Sequence, residues 1–123
     1  MPRLDWHIHK KQHDKDTNSL LVIHSPNYSD WEVITLFYSA MHHVDAAICK
    51  IRSTGIQIPE PIDHKHRRKI VAKHLGRVAT EYGMLESISQ WARYQEVAIS
   101  NEIVDAAKSL YSDVISYLRN YVP

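Results

Sequence analysis

Between Asp30 and Ser53 apolar side chains recur at three- and four-residue steps: Ile34, Phe37, Tyr38, Met41, Val44 and Ile48. That is the period of one face of an α-helix. Ser29 and Glu32 stand three apart ahead of the run, in the Ser-x-x-Glu pattern of a capping box. Gly55 closes it as a C-cap. The same period predicts four more segments. The first runs from Arg3 to Ile23, with Leu4, Ile8, Leu20, Leu21 and Ile23 apolar around a polar middle. The third starts behind two prolines at Asp63, a natural N-cap, and continues to Leu75, where Gly76 bends or breaks it. The fourth carries Val78, Tyr82, Leu85, Ile88, Trp91 or Ala92, and Val97. The fifth opens at Ser100–Asn101 and holds an apolar stripe from Ile103 through Leu110, Val114 and Leu118 to Tyr121. No segment alternates with period two for long. The pattern predicts one all-α domain over residues 1–123, an antiparallel up-and-down bundle of four to five helices with short loops.

Composition leaves that picture standing. The chain has 123 residues, 44% of them hydrophobic and 24% charged, with three glycines and five prolines. That length supports one compact core and not two. The single cysteine, Cys49, excludes an intrachain disulfide. No apolar run reaches the roughly 20 residues a membrane span needs, and the N-terminus lacks a signal-peptide core, so the chain reads as cytoplasmic.

Charge changes the picture more. The net charge is only +1. Yet residues 64–77 hold Lys65, Arg67, Arg68, Lys69, Lys73 and Arg77 without one acid, while residues 81–123 hold six acids against three bases. All nine histidines lie at or before His74. The stretch "PIDHKHRRKIVAKH" is therefore where chemistry is sought.

Four groupings are candidates. Arg67 and His74, with Arg68 as an equivalent start, are two helical turns apart on one stripe. Histidine can move a proton and arginine can stabilise phosphate charge, which suits metal-free RNA cleavage. Arg-x(4–6)-His pairs also arise by chance in a chain this rich in both. "HKHRR" brings His64, Lys65 and His66 to a helix start, and with Lys69 and Lys73 it could hold phosphate or nucleic acid. The alternative there is a solvated lysine-rich face. Tyr38, His42 and Asp45 share a face of the second helix, as a satisfied polar network or as two metal ligands completed by His64 or His66. Tyr82, Leu85, Ser89 and Arg93 form a polar seam between helices or subunits. His7, His9 and His13 form an exposed polar patch that could bind a metal. No metal or other cofactor is expected.

Three stretches, "SDWEVITLFYSAMHHVDAAI", "PIDHKHRR" and "EYGMLESISQWARY", resemble a HEPN domain (higher eukaryotes and prokaryotes nucleotide-binding). The positions that carry the resemblance are Asp30, Trp31, Phe37, Tyr38, His42, Asp45, His64, Arg67, Tyr82, Leu85, Arg93 and Tyr94. It covers about residues 3–121. The resemblance implies a four- or five-helix bundle, a homodimer, and one of two activities. Many HEPN domains are metal-independent endoribonucleases with an Arg-x(4–6)-His motif across the dimer interface. Others are non-catalytic modules that bind RNA, a nucleotide or a protein. Such domains occur in toxin–antitoxin and anti-phage systems, often beside a nucleotidyltransferase antitoxin as operon partner. The nuclease motif generally lies late in the domain; here no histidine follows Arg93, and only Arg67 or Arg68 with His74 matches.

Three readings follow. A nuclease would use Arg67, Arg68 and His74, assisted by His64. A binding module would use the basic helix start. A histidine-rich metal-binding bundle is the third. The aromatic residues Trp31, Tyr38, Tyr82, Trp91 and Tyr94 exceed what a thin bundle buries, which also points to a homodimer.

Overall fold

A computed structural model describes residues 29–94 and 99–123. The helix expected over 3–23, the His7, His9 and His13 patch, the stretch 95–98 and the Tyr94 side chain lie outside the described residues. Among the described residues four α-helices pack together: α1 (Ser29–Arg52), α2 (His64–His74), α3 (Ala79–Tyr94) and α4 (Asn101–Leu118). A short 3-10 turn, Gly76–Val78, joins α2 to α3. The all-helical expectation holds among the described residues, which contain no strand.

α1 is the central helix. Val44, Ala46, Ala47 and Ile48 are wholly buried, so its middle is covered on nearly every side and not on a single stripe. Small residues there let neighbouring helices approach closely. Contacts give the directions. On α1 and α4, Lys108 meets Glu32 at 3.0 Å, the Tyr111 hydroxyl meets Ser39 at 3.0 Å, and the Val122 carbonyl accepts from His43 Nε2 at 3.1 Å. Numbers rise together, so α1 and α4 run in the same sense. α3 runs against them: Tyr82 sits by Asp45 and Phe37, and Arg93 lies over Tyr38.

α2 departs from simple up-and-down order. Its start, His64, packs on Phe37, its fourth residue, Arg67, meets Asp45, and its end, His74, lies beside Lys50 and Ile51. It therefore runs in the sense of α1. The chain must return about 22 Å between them, and eleven extended residues reach farther than that. Gly55 takes φ +101°, a left-handed conformation that side chains resist, and starts the return. Pro59 and Pro61 keep it from turning helical. Ile58 is buried in the core, and Arg52 clamps the return by donating to the Ile58 carbonyl at 2.8 Å and to Glu60 at 2.9 Å.

The starts of α2 and α4 are as the sequence predicts. The Asp63 carboxylate accepts the His66 backbone N–H at 2.7 Å, and the Ser100 hydroxyl accepts that of Ile103 at 3.3 Å. Among the described residues no helix is long and apolar enough to cross a membrane.

Candidate nucleic-acid interface

α2 sorts its residues by the helical period. Ile70 and Val71 face the core. Lys65, Arg68, Lys69, Ala72 and Lys73 are exposed on the outer side. Lys65, Lys69 and Lys73 recur every fourth residue, so their stems rise about 6 Å apart along one ridge. Arg77, just past the helix, is exposed too. The sequence reading of the candidate site left Arg77 aside.

The two adjacent arginines have different fates. Arg67 turns inward. Its Nε and Nη2 donate to the two oxygens of Asp45 at 2.7 and 3.2 Å, with side-chain exposures of 13% and 10%. Burial disfavours the charged guanidinium, but the hydrogen bonds and charge of Asp45 outweigh it and raise its pKa. Arg68 turns outward and keeps 43% of its side chain exposed. Its Nη1 donates to Glu86 Oε2 at 2.6 Å, and that carboxylate is only 3% exposed. Gln90 adds a long contact of 3.4 Å to the same oxygen.

Beneath the two pairs lies Tyr82, 1% exposed, with no hydrogen-bond partner for its hydroxyl. Burial pushes its phenol well above the ordinary tyrosine range. Its ring stands 5.7 Å from Phe37, which also touches His64 at 5.7 Å and Tyr38 at 5.4 Å. The Arg93 guanidinium lies 4.9 Å above the Tyr38 ring, a cation–π contact. Arg68 and Gln90 thus meet at Glu86 on the seam between α2 and α3, while His64 and Arg93 pack on the rings of Phe37 and Tyr38.

The expected groupings are partly redistributed. Arg67 and His74 share a helix but not an environment. Two turns separate them by about 10 Å. His74 stands instead at a shallow cavity of about 360 Å³ with Lys50, Ile51, Thr54, Ile56, Asn120 and Tyr121. Among the described residues, no Arg–His pair is assembled on Arg67. Of the residues expected in a polar network, Asp45 pairs with Arg67, Arg93 lies over Tyr38, and His42 is half-buried on α1. His66 is engaged at the helix start, where its Nδ1 accepts the Ile62 N–H at 3.2 Å. The Asp63 carboxylate already occupies that start, so an anion there would meet a negative charge. The basic surface lies along the helix flank and not at its tip.

Two buried groups escaped sequence reading. Glu86 lies one turn beyond Tyr82, on the inner side of α3; an acid on that stripe, opposite a helix without acids, is the signal that could have found it. His43, not its neighbour His42, is the core histidine, and it ties α1 to the Val122 carbonyl. Among the described residues no three His, Cys, Asp or Glu side chains gather as metal ligands.

Comparison with protein-family models, curated proteins and solved structures finds no match for this chain.

Proposed function

We propose that this chain is a non-catalytic module of the HEPN type that binds RNA through its phosphates. One observation carries this reading: the flank of α2 exposes Lys65, Arg68, Lys69 and Lys73, and no acid occurs in 64–77. Such a ridge attracts polyanions and releases their counterions on contact. Four phosphate contacts on a single strand predict a slope of about −3 in log affinity against log salt. Replacing Lys69 and Lys73 by alanine weakens binding and reduces the slope by about 1.4. Fluorescence anisotropy with a labelled 20-nucleotide RNA, titrated at several salt concentrations, tests it. Affinity that ignores salt, or that survives the double substitution, rejects the α2 flank as the site.

The nuclease reading needs Arg67 or Arg68 and His74 to meet a second subunit. The same RNA, incubated in chelator, tests that alternative. The ion pair of Arg67 with Asp45 weighs against it, because the edge that would grip a phosphate is already on a carboxylate. A homodimer and an operon-encoded partner remain part of the HEPN reading, and light scattering measures the first.

A further inference from the structure

Arg67 and Arg68 differ in which edge of the guanidinium is used. Arg67 places its Nε–Nη2 edge on Asp45. Among the described residues Arg68 is anchored through Nη1, at 2.6 Å from Glu86, and its own Nε–Nη2 edge meets no other described group. That edge is the fork that fits a phosphate or carboxylate with two parallel hydrogen bonds. Its anchor is unusual. Glu86 is a buried acid whose second oxygen, Oε1, has no hydrogen-bond partner. A buried carboxylate is costly unless it is paired, so the Glu86 charge favours the Arg68 rotamers that reach it. Among the described residues the lysines of the ridge have no such anchor.

We propose that Glu86 is a positioning residue that fixes Arg68, so that its open edge grips one phosphate of the bound strand in bidentate fashion. This rests on the phosphate-binding reading of the α2 flank. Arg68 is then the fixed point of the interface, and Lys65, Lys69 and Lys73 supply diffuse charge around it. Gln90 and Arg93 lie on the same side of the seam, within one to two turns of Glu86 along α3.

Positioning and plain electrostatics predict opposite signs for one substitution. Glu86→Gln removes a negative charge near the ridge. By Coulomb attraction alone it tightens polyanion binding. If Glu86 positions Arg68, its loss frees a rotamer-rich side chain that must be ordered again on binding, and affinity falls about two- to tenfold. The salt slope stays unchanged, because the number of phosphates neutralised does not change. Arg68→Lys keeps the charge and the slope but loses the fork, with a similar fall in affinity. The Glu86→Gln/Arg68→Lys double variant falls little further, since both changes remove one interaction.

The experiment is anisotropy with the labelled RNA at three salt concentrations on the full chain and these three variants. Circular dichroism confirms that each variant is folded. The expected result is a loss of affinity at constant slope in both single variants and no further loss in the double. Wild-type protein that binds no RNA overturns the phosphate-binding reading itself. Wild-type binding with equal or tighter binding by Glu86→Gln overturns the positioning role and leaves that reading intact. Should Glu86→Gln not fold, Arg68→Lys decides alone: unchanged affinity overturns the proposal.

Discussion

Arg67→Ala is expected to act on stability. The substitution leaves Asp45, 10% exposed, without the two hydrogen bonds it receives at 2.7 and 3.2 Å. Removing one member of a buried pair costs about 3–5 kcal/mol, because the other charge stays buried and unpaired. Both side chains keep some contact with water, which puts the cost near the lower end, about 3 kcal/mol. A domain of this size has roughly 6–18 kcal/mol in all. The melting temperature is expected to fall by about 12 °C. Asp45→Leu combined with Arg67→Met removes both charges and restores most of the loss, so the double falls well short of the sum of its parts. Urea denaturation of the wild type, Arg67→Ala, the two parts Arg67→Met and Asp45→Leu, and the double measures each value. A loss under 1 kcal/mol in Arg67→Ala, or a double variant equal to the sum of its parts, refutes the structural role of the pair.

Two other outcomes follow from the same contacts. Tyr82 keeps its proton in the fold well above the ordinary value near 10, whereas the unfolded chain loses it there. Its contribution is intact below pH 10 and is lost as pH rises above it, by at most ~1.4 kcal/mol per pH unit. Tyr82→Phe is therefore expected to flatten the alkaline decline in stability and, since the hydroxyl has no partner, to cost nothing at pH 7; urea titrations at pH 7 and 11 check both, and a loss above 1 kcal/mol at pH 7 contradicts the unpaired hydroxyl. Asp63→Ala removes the α2 cap and lowers stability by about 1 kcal/mol, read from thermal melting.

Much of the helical frame was legible in the sequence because caps and periodicity are local. Asp63 and Ser100 cap where their residue types say they should, and Gly55 marks the end of α1 through its backbone alone. The direction of α2 was not legible. It depends on how far the 53–63 return reaches, and hydrophobic period carries no such information. The same holds for the two arginines. Arg67 and Arg68 sit in one basic run, and their partners lie 22 and 18 positions away. A step of 100° sends one to α1 and the other to α3, and only the packed helices reveal which acid each one meets. His42 and His43 present the same problem. Period placed His42 on the face of Tyr38 and Asp45, but α1 is covered on nearly all sides, and it is His43 that is buried. Arg67 and His74 do share a stripe as the spacing requires, yet a stripe two turns long crosses from the Asp45 pair to the far end of the bundle.

The central claim is that the exposed flank of α2 holds RNA by its phosphates and leaves it intact. The most direct measurement pairs salt-dependent anisotropy with gel analysis of the same RNA in EDTA, for the wild type and for Lys69→Ala/Lys73→Ala. The account predicts uncut RNA, a wild-type slope near −3 and a slope smaller by about 1.4 in the variant. RNA cut by the wild type but not by His74→Ala, or no binding at low salt, would contradict it.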